Sequence, residues 1–328
     1  MKLLEQCREQ CRQNPRRIVF PDACDARVLH AANRLKEEGW AEPILIGSPF
    51  ELRDMAHHSG VALPCLTIID PRTSGATADF AHILYERRRG KGMSESEAVD
   101  ALMKPLYYGA TMVDQGQADL CIGGNLSTTG DVIRAALHCI GLAEGQKTVS
   151  SMFLMVSPDG EQVRSFSDAG VVPEPDVNQL ADITIDTARN FAALTGEAPR
   201  VAMLSFSTHG SSNHPAAQLV RDACELVKQR EPELMVDGEL QFDAALVPSV
   251  AHQKAPDSPL EGRSNVLIFP TLSAGNIGYK VAQRLCNYLA LGPMLQGLNK
   301  PMHDLSRGAS VDDIVDMAVL ASCMETAH

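Results

Sequence analysis

The chain has 328 residues, enough to bury a large core and to divide into two domains. Its 45% hydrophobic and 21% charged content is that of an ordinary globular protein, and a formal net charge of -12 argues against nucleic-acid or membrane-surface binding. Any anionic ligand therefore has to be met by local groups of Arg and Lys, and nine scattered cysteines without a C-x-x-C pair make neither a disulfide framework nor a zinc site, which suits a reducing cytosol.

In chain order, Leu3 to Asn14 reads as an amphipathic helix within a polar stretch that is not a signal peptide, and no segment is apolar for long enough to span a membrane. Arg17-Ile18-Val19-Phe20 is a short buried strand stopped by Pro21; a helix follows from about Ala26 to Glu38. Ile44 to Gly47 and Leu66 to Asp70 repeat the strand pattern. Continuous apolar strands alternating with helices predict parallel sheets covered on both faces. One long helical region from about Thr77 to Gln115 carries the basic run Arg87-Arg88-Arg89-Gly90-Lys91-Gly92, which is either a solvated face or a phosphate-binding patch. Asp119 to Gly124 is a strand entering a glycine turn, Asn125 to Gly130 is small and polar, and Asp131 begins a helix bearing Arg134. Strand, glycine turn, polar loop and helix make a general anion-binding arrangement.

Gly141 to Thr148 resembles a P-loop, but its second Gly comes one residue early and is not adjacent to Lys147; no G-x-G-x-x-G opens a helix either. Neither ATP nor a dinucleotide is inferred. From Lys147 a second unit begins, with a strand from Met152 to Val156, a helix from Val177 to Thr195 and a strand from Arg200 to Ser205. That strand enters Phe206-Ser207-Thr208-His209-Gly210-Ser211-Ser212, which suits phosphate oxygens or is a polar turn before Pro215. Leu234 to Leu240 leads towards Asp243 with acids flanking a turn; lacking a third ligand at a convincing spacing, these acids are structural rather than metal-binding. Asn265 to Phe269 is a further buried strand, and the helix after Ser273-Ala274-Gly275-Asn276 puts Lys280 and Arg284 on one face, either in solvent or on an anion.

The densest chemistry lies near the end, in Asp304-Leu305-Ser306-Arg307-Gly308-Ala309-Ser310-Val311-Asp312-Asp313-Ile314. A loop breaks at Gly308 and opens a helix for which Ser310 and Asp313 have the spacing of a capping box. Ser306 and Arg307 precede the cap, so a hydroxyl and a guanidinium sit where free backbone N–H groups point, as an anion site requires. A capped surface helix with an incidental Arg fits the same residues.

The blocks V-A-M-L-S-F-S-T, D-G-E-L-Q-F-D-A-A, K-A-P-D-S-P, N-V-L-I-F-P, G-N-I-G-Y-K-V-A-Q-R-L, G-P-M-L-Q-G-L and D-L-S-R-G-A-S-V-D-D-I resemble phosphotransacetylase (phosphate acetyltransferase), over nearly the whole chain from F-P-D-A-C-D-A-R onward. Their wording is most similar to the short ethanolamine-utilisation type. The resemblance implies acetyl-CoA + phosphate ⇌ acetyl phosphate + CoA, two α/β/α domains with mainly parallel sheets and an interdomain active-site cleft, and a homodimer. It implies a first domain of residues 1–146 completed by the C-terminal helices of residues 299–328, and a second domain of residues 147–298. It places the chemistry on Ser306, Arg307 and Asp313, and substrate or CoA binding and site architecture on Arg27, Arg88, Arg134, Asn276, Lys280 and Arg284. Arg88 is the position that a one-residue shift would exchange for Arg87 or Arg89. Where some relatives have a cysteine this chain has Gly160, which excludes an acetyl-cysteine intermediate there.

Within that resemblance the expected mechanism is direct thiolate attack in a ternary complex, with Asp313 as base, Arg307 on phosphate and Ser306 on the tetrahedral oxyanion. No bound cofactor or metal is expected; acetyl-CoA, phosphate and acetyl phosphate are the partners. Two alternatives stay open: a phosphate butyryl- or propionyltransferase of the same superfamily, and a non-catalytic acyl-CoA sensing domain. The expected location is the cytoplasm, with packaging into a bacterial microcompartment as a further possibility to which the Leu3–Asn14 helix would be the signal, unless that helix simply docks on the protein.

Overall fold

Five short strands run the same way in the first of two sheets: β1 (Arg16–Phe20), β2 (Ala41–Ile46), β3 (Thr67–Ile69), β4 (Leu120–Gly123) and β11 (Met302–Asp304), ordered β11-β4-β1-β2-β3. Ile18, Val19 and Phe20 of β1 have no exposed surface, as expected of a parallel strand with helices on both sides. Those helices are α1 (Lys2–Gln13), α2 (Ala26–Glu37), α3 (Pro49–Ser59), α4 (Thr77–Arg88), α5 (Glu95–Leu102), α6 (Pro105–Asp114), α7 (Thr129–Cys139) and α13 (Val311–Cys323). The structure, a computed structural model, describes residues 2–61, 63 and 66–324. This first compact unit is Met1–Glu144 with Leu298–His328; residues 1, 62, 64, 65 and 325–328 of the expected first domain lie outside the described residues.

Two sequence expectations change here. The helical region from Thr77 is three helices, because a 3-10 turn at Arg89–Lys91 ends on Gly92 at φ 88, a Ser94–Glu97 capping box starts α5, and Pro105 starts α6. Helix α7 begins at Thr129 rather than Asp131: Thr128 caps it, accepting from the Asp131 N–H at 3.2 Å. Helix α1 buries Leu4, Cys7 and Cys11 against α13, so its apolar face is occupied as a docked helix requires.

The second unit, Gly145–Gly297, holds a six-stranded sheet. Its elements are β5 (Ser150–Val156), β6 (Val163–Ser167), α8 (Val177–Thr195), β7 (Arg200–Leu204), α9 (Pro215–Arg230), β8 (Met235–Leu240), α10 (Phe242–Leu246), α11 (Pro248–Lys254), β9 (Val266–Ile268), α12 (Leu272–Cys286) and β10 (Leu289–Gln296). The order is β10-β5-β6-β9-β7-β8; β6 to β8 pair in parallel, whereas β10-β5 and β5-β6 are antiparallel. Hydroxyls of Ser150, Ser167 and Thr187 are buried there and meet the Gln296 amide at 2.8–3.4 Å. The acids near residue 237 do not flank a turn: Asp237 and Glu239 lie within β8 and are buried. No described helix is long and apolar enough to cross a membrane.

Candidate active site

In a parallel sheet all strands release their chains at one edge. In the first unit the chain turns outward on either side of β1, towards β2 and towards β4, and ligand crevices form where the order reverses. Asp22 stands there, two residues past β1. Its carboxylate, 7% exposed, accepts from the N–H groups of Gly124, Leu126 and Ser127 at 2.8, 3.1 and 3.2 Å and from Ser127 Oγ at 2.7 Å. Asp304 ends β11, and Thr129 Oγ1 donates to its Oδ2 at 2.6 Å while Oδ1 has no partner among the described residues. Burial, reinforced by the Asp22 charge and opposed by Thr129, pushes the Asp304 carboxyl up to about 6. Asn125, 2% exposed, has no partner for either side-chain polar atom among the described residues. Between them Gly124, at φ 105, admits no side chain: a Cβ would lie 2.3 Å from Asp304 Oδ1 and 2.4 Å from Leu305 O.

Leu305 N–H bonds Gly123 O at 2.7 Å, which carries the chain from β11 into Ser306 and Arg307, both exposed. Ser306 Oγ accepts from Gly308 N–H at 3.2 Å, so its own proton is left to donate. Among the described residues none bonds the Arg307 guanidinium. Its carbonyl, however, is held by Arg27 Nη1 at 2.9 Å, and the same nitrogen reaches Ala309 O at 2.6 Å. Arg27 also grips Asp25, the cap of α2, at 2.6–3.2 Å. Arg27 is thus a brace between α2 and the loop. Ser310 and Asp313 form the capping box: Asp313 Oδ2 accepts from Ser310 N–H and Oγ, each at 2.8 Å.

The three adjacent arginines separate by their partners. Arg87 meets Asp114 at 2.9 Å and Arg89 meets Glu86 at 3.1 Å. Arg88 has no ion pair among the described residues, and its buried Nε lacks a partner. Arg134 contacts Asp131 at 2.8 Å, one turn into the helix that Thr129 opens. On the same helix His138 meets Tyr107 OH at 3.1 Å; burial and then the charges of Arg88, Arg134 and Lys91 push the imidazole down. In the second unit α12 carries the other expected residues. Asn276 donates to Ala169 O at 3.0 Å and accepts from Lys280 at 2.7 Å. Lys280 lies 5.6 Å over the Tyr279 ring, and Arg284 is exposed.

Residues 2–322 match the family described as "Phosphate acetyl/butaryl transferase". The chain belongs to that family. As a member it is an acyltransferase. It is 44% identical over 306 residues to the phosphate acetyltransferase of Bacillus subtilis, covering 93% of this chain and 94% of that one. Among solved structures, a phosphotransacetylase from Streptococcus pyogenes superposes with a TM-score of 0.93 at 40% identity over 98% of this chain and 97% of the other. The EutD phosphotransacetylase from Staphylococcus aureus gives 0.90 at 38% identity, covering 98% of each chain.

In this acyltransferase, sequence reasoning quoted the stretches that hold Asp22, Asn125, Thr129 and Asp304 but named none of the four as a site residue. The available signal was an Asp directly after a buried strand together with a Gly-Gly-Asn turn; what it lacked was the pairing of strands that brings them together. The loop at residues 206–212 proves to be a polar turn. Its hydroxyl Ser207 and the Gly210 N–H bond Glu239 Oε1 at 2.6 and 3.0 Å, so a carboxylate of the protein already occupies the place of an anion. Among the described residues no group of three His, Cys, Asp or Glu has the geometry to hold a metal ion.

Proposed function

We propose that the chain is a phosphate acetyltransferase, catalysing acetyl-CoA + phosphate ⇌ acetyl phosphate + CoA. The observation that carries this reading is the Arg307 guanidinium, free of any partner among the described residues while its own backbone is fixed by Arg27. A fixed base with an unengaged fork is what phosphoryl oxygens need, because two parallel hydrogen bonds then form without reorganisation. The CoA thiolate attacks the acetyl carbon of acetyl phosphate, the carbonyl oxygen takes the charge, and the C–O bond to phosphate breaks. Arg307 binds the phosphoryl group throughout and balances the charge on the leaving phosphate. Ser306, whose oxygen accepts from Gly308 and whose proton is available, donates to the tetrahedral oxyanion. Asp313 takes the thiol proton; Ser310 occupies its Oδ2, and Oδ1 is the oxygen that receives it. Arg88 and Arg134 meet CoA phosphates, and Asn276, Lys280 and Arg284 are further substrate- or CoA-binding residues.

The sequence blocks of the short ethanolamine-utilisation type support a role in ethanolamine utilisation, for which the cytoplasm or a microcompartment is the proposed location. A homodimer is supported by α12, which exposes Ile277, Val281 and Leu285 at four-residue steps. The test follows free thiol released from acetyl-CoA with and without phosphate, repeated with propionyl- and butyryl-CoA. Phosphate-dependent release that falls with chain length is expected; release independent of phosphate sinks the reading.

A further inference from the structure

The amino ends of the parallel strands in the second sheet line a half-open cavity of about 320 Å³. It lies at the starts of β6, β9 and β7, the edge opposite to the one where open parallel sheets place their catalytic crevices. Its walls include Arg164, Arg200 and Arg263. Among the described residues none of these arginines has a carboxylate partner, although acids outnumber bases in the chain by 41 to 29. Arg200 spends only its Nε, on Arg263 O at 2.6 Å, which leaves both terminal nitrogens available. Arg164 Nε is buried without a partner. So is the hydroxyl of Ser264, a wall residue only 3% exposed. Asn265 does not compete for a ligand: its side chain bonds Arg200 N–H at 2.6 Å and Ala198 O at 3.0 Å, fixing the strand that carries Arg200.

Arg164 Nε and Ser264 Oγ are fully buried behind the wall, so the donors that the pocket itself offers are the terminal guanidinium nitrogens, which no carboxylate among the described residues takes up. Glu161 and Glu197 also line the cavity but are exposed and pair with none of the three arginines. The volume falls at the small end of ordinary ligand sites. Three guanidiniums without a carboxylate partner suit a group that offers several anionic oxygens around one centre.

We propose that this cavity is a second anion site, binding a small phosphoryl compound through Arg164, Arg200 and Arg263. It is separate from the acyl-transfer chemistry assigned to Ser306 and Arg307. The intact chain, carrying Arg307→Gln so that the catalytic anion site is weakened, is titrated calorimetrically with inorganic pyrophosphate. One site is expected, weakened tenfold or more by Arg263→Ala, by Arg164→Met and by raising salt from 50 to about 300 mM. Arg263 is exposed, so its variant keeps the test valid if Arg164→Met fails to fold. Arg263→Ala in the otherwise natural chain retains basal acetyl transfer. Absence of binding, or binding that neither substitution weakens, overturns the proposal; citrate binding in place of pyrophosphate overturns the phosphoryl assignment.

Discussion

Two loops in this molecule read alike in sequence and behave differently in structure. One leaves β4 and β11 in the first sheet; the other leaves β7 in the second. Both follow buried parallel strands, both are rich in small hydroxyl residues, and both lie over buried carboxylates. In the second sheet each acid has a basic partner: Arg221 binds Glu239 Oε1 at 2.7 Å, His209 binds Asp237 at 3.0 Å, and the Ser207 hydroxyl also bonds Glu239 Oε1, leaving Glu239 Oε2 as the one atom of the two carboxylates without a partner among the described residues. In the first sheet Asp304 Oδ1, the Asn125 side chain and the Arg307 guanidinium have no partner among the described residues. The difference between the two loops is the guanidinium: Arg221 is paired with a carboxylate, and Arg307 is not paired with any among the described residues.

The second-sheet loop is broken most severely at Arg221. Glu239 has no exposed surface, so Arg221→Met strands a buried carboxylate and is expected to cost about 3–5 kcal/mol of stability. Denaturant unfolding measures it; kcat of the folded fraction stays near normal. A stable variant with poor kcat would make the two loops functionally alike.

The first-sheet loop is tested by pH. Folding lifts Asp304 from an ordinary carboxylate value of about 3.9 to about 6, so the folded protein favours its protonated form. Its contribution to stability is complete below about pH 4 and is lost as pH rises through about 6. Asp304→Asn removes that dependence, and the difference in unfolding free energy between the two proteins is expected to change by about 2–3 kcal/mol between pH 4 and 7. Urea curves at stepped pH that remain parallel would show that Asp304 is already an ordinary carboxylate.

The smallest effect concerns the helix start. Ser310→Ala removes one half of the α13 capping box and is expected to lower stability by about 1 kcal/mol. No loss in the thermal midpoint would mean that the brace from Arg27, rather than the cap, holds the 306–310 loop.

Much of this was legible beforehand for identifiable reasons. Continuous apolar runs such as Ile18-Val19-Phe20 and Val201 to Leu204 announce parallel strands, and Ser310 with Asp313 announces a helix start, because both signals are local. Strand β10 was illegible because Gly292 and Pro293 interrupt it and its partner β5 lies more than 130 residues earlier. The same holds for charge. Sequence cannot choose among Arg87, Arg88 and Arg89, since the choice rests on Asp114, which only the packing of α6 on α4 brings to Arg87. Asp22 escaped notice because its four donors are 102–105 residues away.

The central claim is that Arg307 has been left free for phosphate. It is tested most directly by the phosphate dependence of thiol release from acetyl-CoA in Arg307→Gln. The account predicts a loss of about 2–4 kcal/mol in transition-state stabilisation, or roughly 30- to 1000-fold in kcat/KM for phosphate, with an unchanged thermal midpoint. A variant that retains normal kcat/KM for phosphate would contradict it.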